Sequence, residues 1–342
     1  MVRSRISFDD YKSTKNFSQE KFSDIFFSHK ESEKSGRPTL FHPPTPMQSH
    51  SPARQASVPS SYVLKVACPG TRGIVAAIGN FLADRGCNIT EMAQYDDENQ
   101  GRYFSRVVFR TDTTPAPSLE ELRDAFKATA ARFDMEWNLR SRDERARVLV
   151  MVSKFDHCLE DLLYRQRTGE LPMTITAVVS NHEALRHLVE RHDIPFHVLP
   201  VTPETKSEQE ARLLQLVAQT RSELVVLARY MQVLSDELCR ALSGKAINIH
   251  HSFLPGFKGA KPYHQAYERG VKLIGATAHY VTGDLDEGPI IEQVVERVDH
   301  VFGPDLLVAA GRDSEKVALA RAVKFHIESR VFLNGNKTVV FR

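Results

Sequence analysis

The chain has 342 residues, too many for one ordinary core, so two domains and a tail are expected. Its 45 Lys plus Arg against 43 Asp plus Glu leave a net charge of +2, which removes the global field that draws proteins onto nucleic acid or anionic lipid and makes small molecules the expected partners. No run of about 18 apolar residues occurs, which excludes a membrane-spanning helix, while a hydrophobic fraction of 42% suffices to fill real cores.

Residues 1–60 carry twelve Ser and six Pro, a composition that cannot repay the entropy of ordering, and they read as a disordered tail. Their nine basic residues are accompanied by six acidic ones, and import leaders are poor in acid. Phe17, Phe22, Phe26 and Phe27 fit a short amphipathic stretch, and a true start at Met47 is an equal reading of the same segment. From Tyr62 the texture changes. A strand over 62–67, a turn at Pro69-Gly70 and a helix over 73–85 with Ile74, Ala77, Ile78 and Leu82 on one face open a small domain spanning 61–141. Gly86 stops that helix, strands follow over 88–95 and 102–110 around a polar turn at 96–101, and a helix over 119–133 precedes a last strand over 136–140. Strand, helix, strand, strand, helix, strand is the split βαβ order of the ferredoxin-like fold.

The charged segment 141–147 reads as a linker, and a second domain runs over 147–342. There, strands over 148–152, 173–179, 196–199, 224–227, 246–249 and 277–281 alternate with helical stretches such as 158–167, 183–191 and 208–220. Such alternation implies an α/β fold, a mostly parallel sheet with helices on both faces, whose ligands sit beyond the carboxyl ends of the strands. No internal repeat occurs. The four cysteines, Cys68, Cys87, Cys158 and Cys239, are scattered, so neither a disulfide framework nor a thiolate zinc site is suggested, and a reducing compartment fits. Each reads as a small buried hydrophobe, with Cys158 alone near the expected cleft.

Two segments concentrate chemistry. Asn248-Ile249-His250-His251 ends a short apolar strand, where alternation puts Asn248 and His250 on one face and turns His251 away. An amide and an imidazole on one face can donate to a single carbonyl oxygen, the requirement for holding an oxyanion, although a lone strand-end His is as often structural. Gly283-Asp284-Leu285-Asp286-Glu287-Gly288-Pro289 follows the strand of residues 277–281. It is either a solvated acidic turn or the source of an Asp286 carboxylate that orients or deprotonates water opposite a protonated His250, with His279 in support. A metal set of His250, His251 and Asp286 is opposed by the alternation of adjacent residues, and His182, His187, His192 and His197 fall out of helical register, so no metal is expected. The segment 153–158 lacks the glycines that cradle phosphate, and neither a nucleophile elbow nor a Walker loop is present.

Asn248-Ile249-His250, Ser252-Phe253-Leu254-Pro255 and Asp286-Glu287-Gly288-Pro289 resemble the formyltetrahydrofolate-dependent formyltransferase superfamily. Within it the runs 251–255, 259–270, 275–280 and 310–313 are similar to the deformylase branch, and 62–140 resembles the ACT domain that branch carries. The resemblance implies hydrolysis of formyltetrahydrofolate to formate and tetrahydrofolate without a cofactor. Formate would feed purine synthesis and the reaction would balance the one-carbon pool. It further implies Asn248 and His250 on the oxyanion and Asp286 on the attacking water. Met231, Gln232, Val233, Leu234, His279 and Gly288 would bind the folate, with Gln232 standing where an arginine is common and so lacking the cation that would meet the folate's glutamate. The ACT-like domain implies an amino-acid effector, methionine or glycine, at Pro69, Gly70, Thr71, Arg72 and Gly73, and a homo-oligomer, with a purely structural role as the other reading. A cytoplasmic location is expected, a mitochondrial one remaining open. Two further readings stand beside hydrolysis: formyl transfer to an amine, and an amino-acid-binding regulator with an inactive catalytic half.

Overall fold

The computed structural model describes residues 60–254 and 262–342. The tail expected over residues 1–59, with its aromatic stretch and Met47, lies outside the described residues, as do Pro255, Gly259, Ala260 and Lys261 of the family runs.

The first elements are β1 (Ser61–Pro69), α1 (Ile74–Ala83), β2 (Cys87–Asp97), β3 (Arg102–Thr111), α2 (Leu119–Arg132) and β4 (Glu136–Ser141). Their strands pair antiparallel in the order β2-β3-β1-β4, the ferredoxin-like arrangement expected from the order of elements. Local chemistry sets the boundaries. Ser118 and Glu121 form a reciprocal capping box that starts α2. Gly73, at φ 91°, supplies the left-handed residue before α1 that a side chain would strain. Phe126 of α2 packs edge-on against Phe81 and Trp137, with ring centroids 4.9 and 5.0 Å away, filling the space between helices and sheet.

The second part contains β5 (Ala146–Val152), α3 (His157–Arg167), β6 (Met173–Ser180), α4 (Arg186–Glu190), β7 (Phe196–Val198), α5 (Lys206–Gln219), β8 (Leu224–Leu227), α6 (Asp236–Ala241) and β9 (Ala246–His250). These are followed by α7 (Pro262–Arg269), β10 (Leu273–Tyr280), β11 (Ile290–Arg297), α8 (Pro304–Ile327) and a hairpin of β12 (Val331–Asn334) and β13 (Lys337–Val340). The sheet order is β11-β10-β9-β8-β5-β6-β7, with β5 to β9 parallel. Val148, Val150 and Val152 face α3 and α8, while Leu149 and Met151 face α5 and α6, which is why β5 is apolar at every position.

Several features depart from the expectation. β10 runs antiparallel to β9 and β11, so its carboxyl end lies beside the start of β9 rather than beside His250. It also begins at Leu273 rather than 277. Gly275, a weak strand former, sits where a Cβ would lie 2.3 Å from the Val294 carbonyl oxygen, and only the neighbouring β11 reveals that need. The helix expected over 183–191 shortens to Arg186–Glu190. β11, α8 and the terminal hairpin had no counterpart in the sequence reading.

That hairpin carries contacts to the ferredoxin-like part. Phe332 packs edge-on to Phe104 at 5.5 Å, and Asn334 Nδ2 donates to Asp97 Oδ2 at 2.7 Å. Arg106, buried on β3, pairs with Glu91 at 2.6 Å and donates through Nε to the Glu328 carbonyl at 3.0 Å. Cys68, Cys158 and Cys239 are buried free thiols and Cys87 is partly buried. Among the described residues no helix is long and apolar enough to cross a membrane. Because Phe126 is fully enclosed, Phe126→Ala is expected to lower stability by about 3–5 kcal/mol, read as a shift of the urea unfolding midpoint; a change below about 1 kcal/mol contradicts this packing.

Candidate active site

The antiparallel register of β9 and β10 builds the first half of the site. His279 lies directly opposite Asn248, and Thr277 opposite His250, so all four side chains share one face. His279 Nδ1 stands 2.9 Å from the Tyr280 carbonyl oxygen, which can only accept, so this nitrogen carries the proton. The Nε2 lone pair then accepts from Asn248 Nδ2 at 3.3 Å. One amide hydrogen of Asn248 is spent holding the side chain in place, and the other is available to a ligand oxygen. Thr277 Oγ1 donates to the Ser252 carbonyl at 3.0 Å and accepts from Leu254 N at 3.2 Å, fixing the turn that follows His250.

The second half arrives by a loop that doubles back. Since β10 ends beside Ile247, the segment after it must reverse to reach His250, and Asp286 takes a left-handed backbone (φ 58°) in doing so. Tyr280 N donates to the Pro289 carbonyl at 2.9 Å, closing the base of this loop. Gly288 is required there: a Cβ would sit 1.7 Å from the Tyr280 carbonyl oxygen. His250 Nδ1 lies 3.1 Å from Asp286 Oδ2, while His250 Nε2 lies 2.8 Å from Ser252 Oγ. Asp286 Oδ1 is 3.8 Å from His279 Nε2, too long for a hydrogen bond. Burial alone would raise the Asp286 carboxyl, but the hydrogen bond and charge of His250 outweigh it and hold the group well below the usual carboxylate range.

These groups open into a cleft of about 240 Å³ lined by Asn248, His250, His279 and Asp286 and, at its mouth, by Met231, Gln232, Val233 and Leu234. Met231 and Val233 are 51% and 57% exposed, an apolar surface facing solvent at the entrance. Ser153 Oγ accepts from Met231 N at 2.9 Å while donating to Asn181 Oδ1 at 2.7 Å, so the end of β5 anchors this mouth. His251, expected to turn away, lines the same cleft, because regular alternation ends with β9 at His250. Burial first, then the Arg229 and His250 charges, push its pKa down to about 4, so it is neutral at ordinary pH. Gly288 packs behind the loop and serves close backbone approach rather than the cleft surface.

A buried ionic cluster behind the cleft escaped the sequence reading. Glu315 of α8 is 1% exposed and accepts hydrogen bonds from His157 Nε2 at 2.8 Å and the Tyr263 hydroxyl at 2.9 Å, with the Arg229 guanidinium 3.3 Å away as an ion-pair partner. Burial opposes its charge, and these partners together hold it below the usual value. Gly311 admits the Tyr263 ring, for a Cβ would lie 2.0 Å from its Cζ; the run 310–313 was the only trace of this packing in the sequence. His157, Cys158 and Glu315 place donor atoms within 4.8 Å of one another. Burial drives the Cys158 thiol well above its ordinary pKa, however, and Glu315 is already fully engaged, so the set behaves as an ion-pair cluster.

Of the residues expected at the effector turn, Thr71 and Gly73 line a separate cavity of about 750 Å³ with Ile74, Tyr95 and Asp96. Pro69 ends β1 opposite Arg102, Gly70 N donates to the Gly101 carbonyl at 2.9 Å, and Arg72 lies exposed between them and α1.

The depressed Asp286 carboxyl carries a sign. In unfolded chains Asp titrates near about 3.9, so Asp286 contributes stability that is complete above that value and fades as pH falls toward its lower folded value. The stability of the natural chain relative to Asp286→Asn is therefore expected to fall as pH drops from about 5 to 3 in urea titrations, and a relative stability that stays constant or rises contradicts the assignment.

Comparison with known proteins agrees with this architecture. The formyl transferase family model matches residues 146–323 and the ACT domain model residues 62–131. A formyltetrahydrofolate deformylase of Corynebacterium sp. (strain P-1) is 58% identical over 281 residues, covering 82% of this chain and 98% of that protein. One from Bacillus subtilis is 49% identical over 279 residues, covering 81% of this chain and 93% of that one. The crystal structure of a formyltetrahydrofolate deformylase from Burkholderia mallei superposes with a TM-score of 0.80 at 54% identity, covering 83% of this chain and all (100%) of that one. A doubled-back loop closing on an Asn-x-His strand, preceded by an ACT domain and matched along nearly the whole length of these relatives, makes this chain a member of the formyltetrahydrofolate deformylase family.

Proposed function

We propose that this protein hydrolyses formyltetrahydrofolate to formate and tetrahydrofolate, supplying formate for purine synthesis and balancing the one-carbon pool. The observation that carries the reading is the convergence of Asn248, His250 and Asp286 on one cleft with an apolar mouth. The folate ring system packs on Met231, Val233 and Leu234, and the formyl group enters between the β9 side chains and the Asp286 loop. The formyl oxygen takes the remaining Asn248 amide hydrogen. His250 has both ring nitrogens engaged, and exchanging the neutral Ser252 hydroxyl for the developing oxyanion costs less than giving up the charged Asp286.

Water is held by Asp286 Oδ1, the oxygen not bonded to His250. A carboxylate of such depressed basicity first positions the water; the proton moves to it as attack on the formyl carbon acidifies the O–H bond. The tetrahedral intermediate collapses with cleavage of the C–N bond, the folate nitrogen leaves with the proton that Asp286 took up, and the formic acid formed ionises to formate. No step calls for a cofactor, since the amide, imidazole and carboxylate supply oxyanion stabilisation and proton transfer between them; turnover is expected to be unaffected by chelator.

Water rather than an amine fits the acceptor side of the cleft. After β5 the chain is committed to side-chain contacts: Ser153 to Asn181 and Met231, Phe155 beneath the Arg229 guanidinium at 5.2 Å, and His157 to Glu315. No glycine-rich phosphate cradle remains there for a phosphorylated amine. We further assign the ACT domain an amino-acid effector, methionine or glycine, beside Thr71 and Gly73, in a cytoplasmic homo-oligomer.

Purified protein is expected to release formate from formyltetrahydrofolate with no amine added; a rate that appears only with an amine favours transfer and overturns hydrolysis. Asp286→Asn is expected to lower kcat by about 10²–10⁴ while folate binding stays within about threefold, and unchanged kcat removes Asp286 from the mechanism. Gly288→Ala, which must displace the loop from the Tyr280 carbonyl, is expected to cost about 10² in kcat with the fold retained; an unchanged rate shows that the loop position does not matter.

A further inference from the structure

A water molecule that attacks a formyl carbon must turn a lone pair toward that carbon, which directs both of its hydrogens elsewhere. Two acceptors hold it ready. On the hydrolytic reading, on which this inference rests, Asp286 Oδ1 is one of them. Three described imidazoles line the cleft, and two are committed. His250 meets Asp286 through Nδ1 and Ser252 through Nε2, while His279 donates to the Tyr280 carbonyl through Nδ1 and accepts from Asn248 through Nε2. The third, His251, is half-buried, and no described residue hydrogen-bonds either of its ring nitrogens.

Packing fixes this ring. Its centroid lies 5.1 Å from that of His250, and it stands edge-on to Tyr263 at 6.4 Å, whose hydroxyl is tied to Glu315 at 2.9 Å. Burial, followed by the Arg229 and His250 charges, keeps the ring neutral at ordinary pH. In either tautomer a neutral imidazole offers one lone pair, so the choice of nitrogen does not alter what His251 can accept. A half-buried acceptor with no partner, packed against the imidazole that bonds Asp286, has room only for a donor from the substrate side of the cleft.

We propose that His251 positions the hydrolytic water: its unprotonated ring nitrogen accepts one hydrogen of the water while Asp286 Oδ1 accepts the other, which leaves an oxygen lone pair aimed at the formyl carbon. As the C–O bond forms, the proton passes to Asp286. His251 gains none and sets only where the water stands.

Steady-state kinetics of three full-length variants test it, with titration of tetrahydrofolate as the measure of an intact cleft. His251→Phe keeps a ring to pack on His250 and Tyr263 but has no lone pair. It is expected to lower kcat about 10²-fold, with KM and tetrahydrofolate affinity within about threefold of the natural chain. His251→Gln gives up the ring packing but restores an acceptor, and is expected to stay within about tenfold of the natural kcat. A merely structural His251 predicts the reverse order, with Phe tolerated and Gln not. His251→Ala removes ring and acceptor without adding bulk; it is expected to be as slow as His251→Phe and covers the case in which that variant fails to fold. A kcat for His251→Phe or His251→Ala within about threefold of the natural chain, or a His251→Gln variant as slow as either, overturns the proposal while hydrolysis stands. A natural chain that releases no formate without an amine overturns hydrolysis itself, and this role of His251 with it.

Discussion

The contact between His250 and Asp286 is the constraint around which the catalytic half is organised. A carboxylate is worth little at the tip of an exposed acidic turn, where water competes for it. Here the turn is folded back so that the carboxylate meets a buried imidazole, and each fixes the other: Asp286 holds the proton on Nδ1, and His250 keeps the carboxylate ionised. The cost of the reversal is visible in the backbone, in the left-handed Asp286 and in Gly288 pressed against the Tyr280 carbonyl. Strain of this kind persists because the surrounding hydrogen bonds leave the loop no alternative path.

A second consequence follows from the direction of β10. In an all-parallel sheet Asp286 would emerge at the same edge as Asn248 and His250 with no need to return. Running β10 antiparallel places His279 opposite Asn248 instead, where a single imidazole anchors the amide by its lone pair and is itself anchored by the Tyr280 carbonyl. Orientation of the Asn248 amide thus comes from the cross-strand register, and position of the Asp286 carboxylate from the loop beyond it. The Glu315 cluster completes the arrangement by filling the space behind the cleft with paired charges.

Much of this was legible from residue order. The ferredoxin-like part announces itself because its helices carry clear apolar stripes and its boundaries carry local signals, Gly73, Gly86 and the Ser118–Glu121 box. Asn248, His250 and Asp286 were recognisable from residue type at a strand end and in an acidic turn. What escaped depends on partners remote in sequence. The antiparallel sense of β10 leaves no mark in its own composition, and Gly275 breaks the strand pattern unless the approach of β11 is known. His251 followed alternation only on paper, since the strand stops one residue earlier. Glu315, on a long helix of mixed character, looks like any exposed glutamate until Tyr263, His157 and Arg229 are brought to it.

The claim that His250 and Asp286 act as one unit is tested most directly by a double-mutant cycle on kcat with His250→Asn, Asp286→Asn and their combination. If the pair is a single device, the double variant is expected to be about as slow as the slower single variant, because the first substitution already disables what the second would remove. A double variant whose rate loss equals the product of the two single losses shows two residues working independently and contradicts this account of the site.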